Sequence, residues 1–437
     1  MQWQSKGFGS RVETEEGLIV LTNPKTRDNI YGKADWYPYY AGYAQGFVSD
    51  IIKFLKICPG QIIVDPWNGS GTTTQVATEN GIQSYGFDIN PVMIAVAQAK
   101  LLFGTTPDFL INLSSEIVQK ASSYSNRFDT VNDPLNKWFN HHTIRAIRKI
   151  NLQVQKEILQ DNGRCDINSL GSFFQVALFR TLKPLLGSFK SSNPTWIKTA
   201  KCAEERLAVS SKKINKLFLN EVQIMSDYFN KSASVGIKKT LANVRLGDST
   251  RLDLISEFAD HIITSPPYCT RIDYIVATLP ELSLLSPGYL NFNDLRKRMV
   301  GTNLIQNLNL EWRCEWGEQC KAFLEQVVTH AAKASKTYYI KIFLQYFNSF
   351  YCSLTELNRI LKVGGTCTIV VQSSYYKNVL IDIPGITKEM ANNLGLVCIY
   401  ELQFNNAVSF SHVNSGSLKY KKATAALETV LIFRKRG

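Results

Sequence analysis

The sequence predicts an α/β fold built on a mostly parallel sheet, and three observations predict it. Short apolar runs of strand length end in an acid or a serine, and each is followed by a loop and then by residues at helical spacing. Two such units follow one another directly, as strand, loop, helix, strand, loop, helix. The same alternation returns after a long helical interval, so one sheet is fed from two separated stretches of chain.

A helix is expected from about Ala44 to Leu55, where Phe47, Ile51, Ile52, Phe54 and Leu55 recur at near-helical spacing. Pro59-Gly60 is a turn, and Gln61 to Asp65 reads as a short buried strand. Gly69-Ser70-Gly71-Thr72-Thr73 is a tight loop into a helix running to about Glu79, ended by Gly81. Ser84 to Asp88 is a second strand, and Pro91 suits the first turn of a helix reaching about Phe103. From about Thr105 to Ile237 the pattern is helical. Trp138, Phe139, Ile144, Ile147 and Ile150 form one expected stripe, Phe173 to Leu178 belong to another, and His141-His142 reads as a helix start. Alternation resumes with strands at Val244 to Leu246 and His261 to Thr264, followed by Gly247-Asp248-Ser249 and Ser265-Pro266-Pro267-Tyr268. A helix within Tyr339 to Leu361, a strand at Thr366 to Val371 and two closing strands, Leu396 to Phe404 and Thr429 to Phe433, complete the expectation. The stretches 1–104 and 241–437 thus share the sheet, and 105–240 is a helical insertion.

Composition narrows the function classes. Hydrophobic residues make up 45% and charged residues 19% of the 437, which fits an ordered core and excludes a disordered chain. No apolar run is long enough to cross a bilayer, so no membrane partner is expected. The nine cysteines form no Cys-x-x-Cys pair, and Met1 to Ser5 leads into polar sequence. Reduced thiols and a cytoplasmic setting are the expectation. Cys314, Cys320 and His330 match no common ligand spacing, so no metal is expected. The net charge of +13 favours a polyanionic partner and, in a prokaryotic cell, association with the nucleoid.

In an open parallel sheet a ligand sits at the carboxyl ends of the strands. Asp65, Asp88 and Asp248 fall at such ends, and Gly69 and Gly71 let backbone approach a ligand closely. A helix N-terminus behind that loop offers N–H groups to a carboxylate. Asp88 is placed to accept from ribose hydroxyls, and Asp248 to accept from an adenine amino group or to hold the rim. In Ser265-Pro266-Pro267-Tyr268 neither proline has an N–H, so the turn is an edge of carbonyl acceptors. An exocyclic amino group donates two hydrogens and fits that edge, the Ser265 hydroxyl can accept as well, and the Tyr268 ring offers a stacking face.

Together, Asp65-Pro66-Trp67-Asn68-Gly69-Ser70-Gly71-Thr72-Thr73, Phe87-Asp88-Ile89-Asn90-Pro91 and Thr264-Ser265-Pro266-Pro267-Tyr268 resemble the signature of the amino-group DNA methyltransferases. Tyr40 to Leu55, with Phe47-Val48, resembles the helix before that family's cofactor loop, and Gly247-Asp248-Ser249 resembles its third cofactor segment. The resemblance implies a Rossmann-like methyltransferase fold with a mostly parallel seven-stranded sheet and S-adenosylmethionine as cofactor. By resemblance, Phe47, Asp65, Pro66, Trp67, Gly69, Gly71, Thr72, Asp88, Ile89 and Asp248 would line the cofactor site. Asp65, Gly69 and Gly71 would face its methionine part and Asp88 its ribose. Ser265, Pro266, Pro267 and Tyr268 would hold a base flipped from double-stranded DNA. Serine at the first place of that tetrad goes with cytosine N4 in the family, and Asp or Asn with adenine N6. The expected activity is cytosine-N4 methylation as the protective half of a restriction–modification pair with a cognate endonuclease. Adenine N6, an RNA base amino group and a binding-only homologue stay open. Trp67 stands where phenylalanine is commoner, and the helical insertion leaves target reading unassigned.

Further candidates for DNA contact are Arg271 after the tetrad, Lys183, Lys190, Lys198 and Lys201 around Trp196, and Lys421 beside Lys419, Tyr420 and Lys422. A solvated helix face explains the lysines nearly as well. Cys269 reads as a packing residue, and Gly301-Thr302-Asn303 has no account at this level.

Overall fold

The computed structural model describes residues 9–14, 17–26, 33–37, 42–125, 128–159, 169–191, 196–231, 241–269, 273–285, 291–306, 310–405 and 427–437. A hairpin of β1 (Gly9–Thr14) and β2 (Gly17–Thr22) comes first. α1 (Gln45–Phe54), β3 (Ile62–Asp65), α2 (Thr72–Glu79), β4 (Gln83–Asp88) and α3 (Pro91–Lys100) form the first alternating stretch. α4 (Pro107–Ser123), α5 (His141–Leu159), α6 (Ser169–Leu185), α7 (Ser211–Ser226) and α8 (Tyr228–Lys231) follow. The sheet resumes with β5 (Ala242–Leu246) and β6 (Ala259–Thr264), then α9 (Tyr274–Ala277), α10 (Leu279–Leu285), α11 (Phe292–Arg298), α12 (Glu318–Thr329) and α13 (Ile340–Ile360). The chain closes with β7 (Leu361–Gln372), a hairpin of β8 (Ser374–Tyr376) and β9 (Val379–Ile381), α14 (Ile383–Asn393), β10 (Leu396–Asn405) and β11 (Leu427–Lys435).

Seven strands form one sheet in the order β10-β11-β7-β6-β3-β4-β5. β5, β4, β3, β6 and β7 pair in parallel, whereas β11 is antiparallel to both β7 and β10. This is the mostly parallel, Rossmann-like sheet that the sequence predicts, including the antiparallel pair at its close. Strand alternation assigns side chains to two faces. Ile63, Ile263, Val370 and Val430 pack against α1 and α2, while Val64, Ile262, Ile369 and Leu431 pack against the layer of α12, α13 and α14. Both faces are covered, so these strands read as continuous apolar runs. A third cluster joins the outer side of α3 to α4, α5, α6 and α7. The helical interval therefore leans on a helix of the sheet's own layer.

Local signals explain the element ends near the site. Asn90 Oδ1 accepts from Val92 N at 3.0 Å and Pro91 opens α3, which suits its rigid φ. That helix ends at Lys100 rather than near Phe103, because Leu101 and Leu102 turn back with N–H bonds to Gln98 and Ala99 carbonyls and Gly104 takes φ +68°. The stripe expected from Trp138 to Ile150 also divides. α5 begins at His141 as read, with Asn140 Oδ1 accepting from Thr143 N, so Trp138 and Phe139 stand before the helix. Phe139 bridges to Leu207 instead.

Candidate active site

β3 and β6 are adjacent and parallel, with Ile63 opposite His261 and Val64 opposite Ile262. β3 connects through α2 to β4 on its other side, so the strand order reverses here and a crevice opens at the carboxyl ends. A hydrogen bond ties the two ends together: Thr264 Oγ1 donates to Asp65 Oδ1 at 2.6 Å. The glycine turn after β3 and the double-proline turn after β6 consequently face one cleft. Its wall contains Asp65, Pro66, Trp67, Gly69, Thr72, Asp88, Ile89 and Asp248 together with Ser265, Pro266, Pro267 and Tyr268.

The strand-end acids differ in their surroundings. Asp65 is buried and accepts from Thr264 Oγ1 and Trp67 N (3.2 Å) on Oδ1, and from Thr73 Oγ1 (2.7 Å) and Tyr43 Oη (2.9 Å) on Oδ2. Burial holds its carboxyl above the usual range against the pull of those donors. Asp88 is partly exposed and accepts one backbone N–H on each oxygen, Gly69 N at 2.9 Å and Asn90 N at 2.8 Å. Burial raises its carboxyl to about 6. Asp248 accepts from Thr250 N and Thr250 Oγ1 and lies 3.6 Å from the Arg298 guanidinium at the rim.

The glycine loop has steric reasons for its composition. Gly69 takes φ +48° and Gly71 φ +83°. A Cβ on Gly71 would lie 2.6 Å from Ala97 Cβ, so this glycine lets α2 pack on α3. Gly71 is the N-cap of α2 and no side chain caps that end, so first-turn N–H groups remain for an acceptor. The Asn68 amide is buried in the cleft wall against Gly86, and its Nδ2 has no hydrogen-bond partner among the described residues.

At the second turn, Ser265 Oγ donates to the Val370 carbonyl at 3.1 Å. With its hydrogen engaged, the hydroxyl presents lone pairs. Tyr346 Oη donates to the Pro267 carbonyl at 3.1 Å, bracing the turn from α13. Tyr268 Oη donates to Glu428 Oε1 of β11 at 2.7 Å, and the Lys25 ammonium lies 5.2 Å from the Tyr268 ring centre. Cys269 is buried, and burial pushes its thiol up, so it is a poor nucleophile and packs as expected. Gly301 now has a reason. It turns with φ +81° beside the Tyr268 carbonyl, a backbone conformation that favours glycine.

Several expected residues lie elsewhere. Phe47 is fully buried in the core under α1 and reaches the cleft only through Tyr43, whose ring meets it edge-on at 5.7 Å. Gly71 stands behind the loop. Lys190, Trp196 and Lys198 are exposed on a short bridge, Lys190 to Ile197, and do not line the cleft. Lys183 is turned inward, with its ammonium 3.6 Å from the Tyr37 ring centre, and burial lowers its pKa. Arg271 and Lys421, like Lys419, Tyr420 and Lys422, lie outside the described residues. Sequence reasoning missed Tyr43, Thr73, Arg298 and Glu428. The available signals were a glutamate opening an apolar closing strand and the basic run Arg296-Lys297-Arg298.

A DNA methylase family model matches residues 29–99. The Type II methyltransferase M.BsoBI of Geobacillus stearothermophilus is 24% identical over 90% of this chain and 84% of its own length. The Type II methyltransferase M.AvaI of Nostoc sp. is 23% identical over 82% of this chain and 78% of its own. Among solved structures, the phosphoethanolamine N-methyltransferase 2 of Haemonchus contortus aligns over 96% of this chain and 63% of its own, at 9% identity and a TM-score of 0.31, a likeness too loose to bear on the site.

Proposed function

We propose that this chain, a member of the amino-group DNA methyltransferase family, methylates the exocyclic N4 of cytosine in DNA. The family's methyl donor is S-adenosylmethionine. The cleft residues suit it: the uncapped start of α2 and the orphaned Asn68 amide are donors for a carboxylate, and Asp88 keeps lone pairs for two ribose hydroxyls. Pro66, Trp67, Ile89 and Met93 give the same cleft apolar walls. When bound, S-adenosylmethionine would supply a methyl activated by its positively charged sulfur, which would leave as a neutral thioether, and the amino nitrogen that takes the methyl would release one hydrogen as a proton to solvent.

The chain's own work is positioning. The Ser265 lone pairs and the Pro266 carbonyl accept from the amino group of the base, which turns the nitrogen lone pair away from the ring. The same acceptors stabilise the positive charge that grows on nitrogen. Tyr268 offers a ring for stacking, oriented by Glu428. The observation that carries this reading is the single cleft shared by the two turns and tied by the Thr264–Asp65 bond. Serine at the head of the tetrad favours cytosine N4 over adenine N6, as the resemblance implies. The Type II designation of the relatives supports a place beside a cognate endonuclease. The helices within 105–240, with exposed Lys190, Trp196 and Lys198, are our candidate for reading the target duplex.

The test is incubation with labelled S-adenosylmethionine and unmethylated genomic DNA, followed by nucleoside analysis. N4-methylcytosine is expected. N6-methyladenine would replace the base assignment, and unlabelled DNA would overturn the reading.

A further inference from the structure

The last turn of α11 carries Arg296, Lys297 and Arg298 in three different settings. Arg296 Nε donates to Asp273 Oδ2 at 2.7 Å in a mostly buried pair, and Asp273 also caps α9 through Val276 N. Arg296 thus pins α11 to the chain just after the Ser265–Tyr268 turn. Lys297 is exposed and lies 3.6 Å from Asp294 of its own helix. Arg298 lines the active-site cleft, yet its side chain is 58% exposed. The next two residues, Met299 and Val300, are buried in the cleft wall, and Gly301 turns against the Tyr268 carbonyl. The backbone of Arg298 is therefore held on one side by the Arg296–Asp273 pair and on the other by the cleft wall beside the double-proline turn, while its guanidinium stands at the mouth in solvent.

The guanidinium is paired with Asp248 Oδ2 at 3.6 Å. A pair at that distance with its guanidinium more than half exposed is weak, so a better-matched anion can take the arginine from it. We propose that Arg298 is a substrate-binding residue, whose guanidinium takes a backbone phosphate of the nucleotide whose base enters the Ser265–Tyr268 turn. The inference rests on the DNA methyltransferase reading above. A flipped base remains joined to its backbone, so a base held at Tyr268 brings its own phosphodiester to the cleft mouth. Arginine presents a planar fork of donors to such an anion, which a lysine does not.

The test measures methyl incorporation into unmethylated genomic DNA fragments at several salt concentrations, for the wild type and for Arg298→Ala and Arg298→Lys. The alanine variant is expected to raise KM for DNA about 10-fold. Its KM for S-adenosylmethionine should stay put, and the salt slope should fall by about 1. The lysine variant restores the slope but only part of the affinity. An alanine variant with wild-type KM for DNA and wild-type slope overturns the proposal. So does one that shifts only the cofactor KM, since that would assign Arg298 to the Asp248 side of the cleft. Wild-type enzyme that labels no DNA overturns the underlying reading, whereas wild-type labelling with an indifferent Arg298→Ala removes this inference alone.

Discussion

The ends of β3 and β4 carry the same residue type at the same place in the fold and put it to different use. Asp65 closes β3 with both oxygens filled by four donors from the protein, two of them hydroxyls on α2 and β6. Asp88 closes β4 with one backbone N–H on each oxygen and an open side toward the cleft. A carboxylate accepts about four hydrogen bonds. The first acid is saturated and fastens two strands, and the second has capacity left for a ligand. A motif acid is thus read by counting its internal donors, not by its place in a motif.

The sharpest way to break this contrast is to remove each acid in turn. Asp65→Ala leaves the Thr264 hydroxyl and the Trp67 N–H without their acceptor, and leaves the Tyr43 and Thr73 hydroxyls only each other and the Ile263 carbonyl at 3.3 and 3.4 Å, at a cost on the order of 3 kcal/mol in folding stability. A lower urea midpoint should report it. Asp88→Ala should lower stability far less and raise the Kd for S-adenosylmethionine about 10- to 100-fold. Calorimetric titration reads that loss. If Asp65→Ala unfolds like the wild type and loses only cofactor, the two acids have been assigned the wrong way round.

The pH dependence sharpens the same contrast. Asp88 is raised to about 6 in the folded chain by burial, above the roughly 3.9 of an unfolded aspartate. Between those values the folded chain binds more protons, so the contribution of Asp88 to stability is full below the window and is lost as pH rises through it. Cofactor affinity should run the opposite way, because the ionised carboxylate is the stronger acceptor for ribose hydroxyls. Acidification from about pH 7 to about pH 5 should weaken binding roughly 10-fold, with a midpoint near 6. Asp88→Ala should flatten that profile. A wild-type profile that is already flat would detach Asp88 from the ribose.

Much of the sheet was legible because buried parallel strands are short apolar runs bounded by turn residues. Gln61 to Asp65 and His261 to Thr264 are of that kind, and each led to its loop. The hairpin of β1 and β2 was not legible, since Gly9–Thr14 has no apolar alternation to mark it. Phe47 teaches a different lesson. Its helical spacing gave a core position, the resemblance gave a cofactor contact, and the structure keeps it in the core. The contacts that complete the site were beyond any local pattern. Thr264 reaches Asp65 across 199 residues and Tyr268 reaches Glu428 across 160, and only the folded sheet brings them together.

The smallest expected effect isolates the fastening role of Asp65. Thr264→Val keeps the shape of the side chain and removes one donor from a carboxylate that retains three, so the loss should be about 1 kcal/mol in stability. That bond joins the end of the strand before the glycine turn to the end of the strand before the double-proline turn. Loosening it should therefore let both turns shift and raise KM for cofactor and for DNA together, each by roughly 5-fold or less. Steady-state kinetics with both substrates varied separates the cases. A variant that loses kcat alone, with both KM values intact, would place Asp65 in the chemistry and not beneath it, and the distinction between the two strand ends would no longer hold.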